Sequence, residues 1–256
     1  MQRERMVLIT NDDGITAPGL RALVQVLEEL GITHRVVAPA SDQSGRSHAV
    51  TLTGSLVVRD ADPQPGWTAV VGTPVDCVRV ALARYGPTVA AVLAGVNRGH
   101  NLGAHILASG TAAAAREAAV HGLPGLALSA SSHPDWVAVV ALLRQHLPGW
   151  MAYAEGRPGI WLNVNLPDRS DAPWRWAVLD PRPLRAFVDA VVPSRQVRRV
   201  AYRLAEPPPD GRANASWDTA TVAAGAVAVT AVAALTDLPA DLVAATEEIR
   251  RVPAAP

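Results

Sequence analysis

Two neighbouring carboxylates, Asp12 and Asp13, stand in Asn11-Asp12-Asp13-Gly14, directly after the short apolar run Met6–Thr10. Adjacent acids repel, and in a loop that leaves a strand they are costly unless a cation neutralises them. The plainer account is a polar turn, since Asp and Gly are turn formers. A second polar loop, Ala40–His48, offers the hydroxyl of Ser44 and the exposed backbone around Gly45, which suit a metal or an anion. In a third, Gly95–Gly103, Asn97 presents a neutral amide oxygen at the end of another apolar run. Ser109-Gly110-Thr111 then opens an alanine-rich stretch, where hydroxyls and free N–H groups at a helix start hold an anion or simply cap the helix. Asn11, Gly45 and Asn101 lie on the same loops and complete the candidate substrate contacts. Asp12, Asp13, Ser44 and Asn97 make an all-oxygen set, which selects Mg²⁺ or Mn²⁺ over zinc. One such cation, with a phosphate on the Ser109–Thr111 segment, describes metal-assisted phosphoryl transfer centred on Asp12 and Asp13.

Other chemistries are excluded by what is missing. The chain has no lysine, which removes Schiff-base chemistry, a P-loop and a lysine-assisted aspartyl-phosphate mechanism. A haloacid-dehalogenase-like phosphatase also wants acids at alternate positions, and here they are adjacent. Gly45-Arg46-Ser47-His48-Ala49 lacks the last glycine of a serine-hydrolase elbow. The Gly95–Gly103 loop lacks the G-x-G-x-x-G spacing and a ribose-binding acid, so a dinucleotide site is a weak reading. Cys77 is alone, which rules out an internal disulfide or a cysteine-cluster zinc site and reads as a buried small side chain.

The elements that must position these loops follow from periodicity. The chain has 256 residues, 49% hydrophobic and 18% charged, ample for one large packed core. Strands are expected at Met6–Thr10, His34–Ala38, Thr68–Val71, Val89–Ala94, Leu123–Leu128 and Ile160–Leu166. Helices are expected at Pro18–Leu30, Val75–Arg84, Thr111–His121 and Pro134–Leu147. Continuous apolar runs alternating with helices signal a parallel sheet covered on both faces. The expected fold is therefore an α/β, doubly wound, mostly parallel (Rossmann-like) sheet over residues 1–170, with its ligands at strand ends. Residues 171–256 read as a C-terminal extension: β-type alternation over Ala186–Leu204, a return strand over Ala223–Val232 and a terminal helix over Pro239–Arg251. Such an extension suits an arm that packs on a partner subunit, or a surface subdomain of the same chain.

The 23 basic and 23 acidic residues cancel, so no global field favours nucleic acid or an anionic membrane. The N-terminus is too short for a signal-peptide core, and no stretch approaches the ~18 apolar residues of a membrane span. A cytoplasmic protein is expected.

Four blocks carry a resemblance: LITNDDGITAPGLRAL, VVAPASDQSGRSHAVTLT, GTPVDCVRVAL and AGVNRGHNLG…SGTAAAAREA. WLNVNLP and TATVAAGAVAVTAVAALT continue it. The sequence resembles the survival-protein SurE family of metal-dependent 5'(3')-nucleotidases. That resemblance implies a divalent cation on Asp12, Asp13, Ser44 and Asn97, a nucleoside monophosphate substrate and some activity on short polyphosphate. It also implies a homodimer or homotetramer with exchanged C-terminal segments, and phosphate contact at Ser109-Gly110-Thr111. The family usually carries an acid and a tyrosine shortly before that triplet, where this chain has His105 and Ala108, and Ala112 replaces a valine after it. His105 is the candidate general acid for the leaving alkoxide, although filling the loop is the simpler account. The two replacements also leave open a catalytically impaired member that binds nucleotide and metal without turnover.

Overall fold

The computed structural model describes residues 5–61, 66–183, 185–192, 199–205 and 214–235. A nine-stranded sheet forms the centre, in the order β3-β4-β2-β1-β5-β6-β7-β11-β8. Its strands are β1 (Met6–Thr10), β2 (His34–Pro39), β3 (Val57–Asp60), β4 (Thr68–Val71), β5 (Val89–Arg98), β6 (Gly125–Ala130), β7 (Ile160–Asn165), β8 (Trp174–Trp176) and β11 (Val227–Ala233). From β4 across to β7 every pairing is parallel. β3 and β11 pair antiparallel with β4 and β7. β9 (Arg185–Val192) and β10 (Arg199–Ala205) form a separate antiparallel hairpin.

Helices α1 (Pro18–Glu29) and α4 (Trp136–Glu155) pack together on one face, and α2 (Pro74–Tyr85) and α3 (Gly110–Val120) on the other. The alternation of β1 divides accordingly: Val7 and Ile9 join the α1/α4 core, while Met6 and Leu8 join the α2 side. Burial of both faces is why β1 reads as an unbroken apolar run. α2 begins as its sequence demands, with Thr73 and Asp76 closing a capping box ahead of Pro74. Gly19 has no room for a side chain: a Cβ there would stand 1.8 Å from the Val96 carbonyl oxygen, so α1 lies directly on β5. Cys77 is buried, and burial and the Asp76 charge push its thiol well above its usual range.

Several expected boundaries move. β5 runs four residues past Ala94, through a register shift between Ala94 and Asn97, so Asn97 is carried by the strand itself. α4 continues through Pro148 to Glu155 rather than stopping at Leu147. Proline removes one helical hydrogen bond, but Leu147, Trp150 and Ala154 keep the buried stripe going and Trp150 stacks on His146 at 5.6 Å. β3 is an unexpected edge strand, exposed at all four positions. In the 171–256 extension, the return strand begins at Val227, after a short helix α5 (Asp218–Ala223). β8 and β11 join the main sheet, and the Ala186–Leu204 alternation forms the β9–β10 hairpin. The terminal helix expected over Pro239–Arg251 lies outside the described residues.

Candidate active site

The chain runs from β1 outward to β2 on one side and returns to β5 on the other, so the topological switch point falls between β1 and β5. Ligands of doubly wound sheets bind at the carboxyl ends of strands at such a point. Asp12 and Asp13 leave β1, Ser44 follows β2, and Asn97 is the penultimate residue of β5. Backbone ties draw these loops together. The Gln43 N–H donates to the Asp12 carbonyl at 2.8 Å, Ile15 N–H to Pro39 O at 2.8 Å, and the Arg98 N–H to Asp13 Oδ2 at 3.3 Å.

The two carboxylates differ in setting. Asp12 is buried, with Oδ1 accepting the Thr111 hydroxyl at 2.5 Å and Oδ2 accepting the Gly110 N–H at 3.1 Å. Burial raises its pKa, against the pull of those donors. The start of α3, with its partial positive charge, thus faces the Asp12 carboxylate. Asp13 is half-buried, and burial, then the Asp12 charge, lift it to about 6. Asp42 adds to that repulsion, while Arg98 opposes it.

The neutral donors are oriented by their neighbours. The Ser44 hydroxyl and N–H both donate to Asp42 Oδ1, at 2.6 and 2.7 Å, so the hydroxyl's lone pairs remain available. The Asn97 amide nitrogen donates to Gly99 O at 2.7 Å, which turns Oδ1 away from that turn. Among the described residues no three His, Cys, Asp or Glu side chains group so as to hold a metal ion. A cation here would depend on Ser44 and Asn97 beside the two acids. The donor set fits one: hard oxygens only, around a carboxylate pair whose charges repel.

The predicted substrate contacts fall into two groups. Gly45 is exposed, with open space where a side chain would begin, and His105 is half-buried on the 3-10 turn Gly103–Leu107. The others are engaged within the protein. Ser109 accepts the Ala112 N–H as the N-cap of α3, while Gly110 and Thr111 turn towards Asp12. Asn11 is buried with its amide nitrogen on Gly14 O, and its Oδ1 has no partner. Asn101 points into the sheet: its side chain donates to Ser129 Oγ, its N–H to Asn165 Oδ1, and its carbonyl accepts from Asn163 and Asn165.

Sequence reasoning missed the groups that support these loops. Glu117 of α3 is buried and accepts from Arg79 at 2.6 Å, His48 at 2.9 Å and His121 at 3.2 Å. Arg116 donates to the other nitrogen of His48 at 3.1 Å. Burial alone would raise the Glu117 pKa, but the bonds from His48 and Arg79 hold it down to about 2. A lone acid in an alanine-rich helix was the available signal. On the far side, the buried Asp218 accepts the Gly103, Asp180 and Thr219 N–H groups, tying the loop of His105 to the C-terminal extension.

Comparison with known proteins gives one consistent result. The sequence model of the survival protein SurE family matches residues 7–182. The 5'-nucleotidase SurE of Rubrobacter xylanophilus is 37% identical over 246 residues, covering 88% of this chain and 90% of that one. The 5'-nucleotidase SurE of Cytophaga hutchinsonii is 39% identical over 175 residues, covering 66% and 67%. The crystal structure of the SurE protein from Aquifex aeolicus superposes with a TM-score of 0.76 at 27% identity, over 96% of this chain and 99% of that one.

Proposed function

The chain belongs to the SurE family, and from that premise we propose that it is a divalent-metal-dependent phosphomonoesterase acting on nucleoside 5'(3')-monophosphates. The observation that carries the reading is the Asp12–Asp13 pair at the β1–β5 switch point, with the Ser44 loop and Asn97 strand bonded to its flanks.

Asp12, Asp13, Ser44 and Asn97 would hold one Mg²⁺ or Mn²⁺, which supplies Lewis acidity toward phosphoryl oxygens and water. The chain's own residues set the stage for in-line displacement. The start of α3 fixes Asp12 through Gly110 and Thr111, so one carboxylate stays rigid and buried. Asp42 accepts the Ser44 hydroxyl's hydrogen bond, which leaves that oxygen's lone pairs free for a cation. The backbone at Gly45 approaches the phosphate without a side chain in the way. His105, whose ring has no hydrogen bond to any described residue, delivers the proton to the departing ribose oxygen. Short polyphosphate presents the same terminal phosphoryl group and is a second substrate class.

We place the protein in the cytoplasm and assign its assembly, a homodimer or homotetramer, to the 171–256 extension, whose β9–β10 hairpin stands apart from the main sheet. No helix among the described residues is long and apolar enough to cross a membrane.

The test is a phosphate-release screen over nucleoside monophosphates and p-nitrophenyl phosphate, with Mg²⁺, Mn²⁺ or EDTA, on the wild type and Asp12→Asn. Metal-dependent release abolished by Asp12→Asn supports the assignment. Release that persists in EDTA, or in the variant, sinks it. Nucleotide and metal binding with no release would identify an impaired member.

A further inference from the structure

Ser47 is the only non-glycine residue with positive φ among the described residues, at 54°. An L-residue pays sterically for that conformation, whereas glycine adopts it freely. Strain of this kind persists where the surroundings gain something from the side chain. Here the side chain makes a specific bond. The Ser47 hydroxyl donates to Leu107 O at 2.6 Å, and its N–H donates to Ala108 O at 3.1 Å. Those two carbonyls immediately precede Ser109, the N-cap of α3, and Gly110-Thr111, which hold Asp12.

On its other side Ser47 is three residues from Ser44. The intervening turn is closed by the Arg46 N–H on Gln43 O at 3.2 Å, and Gln43 is bonded to the Asp12 carbonyl. The Ser44 segment is thus tied to Asp12 through Gln43 on one side and to the α3 start through Ser47 on the other. The neighbouring ties, His48 on Glu117 and Thr51 on Asp76, lie further along and grip the flanks of α3 and α2. Ser47 is the fastening nearest the chemistry, joining two loops sixty residues apart in sequence.

We propose that Ser47 is a positioning residue: its hydroxyl, held in a strained backbone conformation, sets the distance between the Ser44 donor and the α3 start to which Asp12 is bonded. This rests on the metal-site assignment above. It accounts for a serine where glycine would be unstrained, because glycine lacks the bond to Leu107.

Two variants separate positioning from bulk stability. Ser47→Ala loses the hydroxyl and keeps the strain, while Ser47→Gly loses the hydroxyl and relieves it. For each, the readouts are Tm, calorimetric Mn²⁺ affinity of the chelator-treated full chain, and kcat and KM for a nucleoside monophosphate. Ser47→Gly should melt close to wild type and Ser47→Ala below it. Both should bind Mn²⁺ about tenfold more weakly, as expected on removing a group that holds a ligand from behind. Wild-type Mn²⁺ affinity and kcat in Ser47→Gly, or an effect confined to Ser47→Ala and following its Tm, overturns the proposal while the phosphatase assignment stands. A wild type that binds no Mn²⁺ removes the metal site, and the Ser47 role with it.

Discussion

Replacing Glu117 with glutamine isolates the charge at the hub of the loop-fastening network. The side chain keeps its volume, but His48, Arg79 and His121 lose the anion they surround. A carboxyl held at about 2, against an ordinary 4.5, contributes at most about 3 kcal/mol when ionised. Arg79 and His121 are 47% and 46% exposed, so solvent screening reduces that ceiling to roughly 2 kcal/mol. Because the folded value is depressed, the contribution is complete above about pH 4.5 and fades as pH falls toward 2. Glutamine mimics the protonated acid, so the gap between wild type and Glu117→Gln should itself depend on pH. Urea unfolding should give a gap of about 2 kcal/mol at pH 7 and about 1 kcal/mol at pH 3.5. A variant within 0.5 kcal/mol of wild type at pH 7, or a gap that does not change with pH, refutes the reasoning (a cut-off of the order of an ordinary surface substitution).

Gly110→Ala would place a Cβ 2.8 Å from Asp12 Cβ and 3.0 Å from both Asp12 Oδ2 and Pro74 Cγ. It should cost about 1–3 kcal/mol in thermal or urea unfolding and lower kcat by shifting Asp12, and full activity would contradict the close approach. Asp13→Asn removes a charge that burial and Asp12 both oppose. Differential scanning fluorimetry should find the metal-free variant no less stable than wild type and without the rise in Tm on adding Mn²⁺. His105→Ala should lower kcat about a hundredfold and leave Mn²⁺ affinity intact, as measured by steady-state kinetics and calorimetry; an unchanged kcat ends the general-acid role.

The sheet and its helices are written plainly in the sequence, because buried parallel strands such as β1 and β6 are continuous apolar runs between helical patterns. β3 is invisible to that logic, since an edge strand exposed at every position has no burial pattern to betray it. Proline is a reliable stop signal only where packing is indifferent, and α4 shows packing prevailing at Pro148. At the proposed site, Asp12, Asp13 and Asn97 stand at or just past strand ends, where sequence patterning points, and Ser44 lies in the loop that follows β2. The partners of the α3 start were not. Free N–H groups at a helix start satisfy a ligand or a side chain equally well, and here the Gly110 group takes Asp12, 98 positions earlier. The Glu117 hub was hidden for the same reason, for His48 and Arg79 lie 69 and 38 residues away. Positive φ at Ser47 leaves no trace in composition.

β1, the earliest of the described strands, lies in the interior of the finished sheet, and that order has a bearing on synthesis. A chain emerging N-terminus first can pair β1 with β2 early, but the β1–β5 seam waits for residue 98 and the grip on Asp12 waits for α3. By the end of α3, at residue 120, every described group that hydrogen-bonds the Asp12 or Asp13 carboxylate exists, before β6, β7 and β11 are made. Until β6 arrives, the outer side of β5 is an open edge of unpaired backbone. An intermediate stopped there would hold the Asp12–Asp13 pair on a sheet with an open edge, while the loop of Asn101 and His105 still waits for Asn163, Asn165 and Asp218.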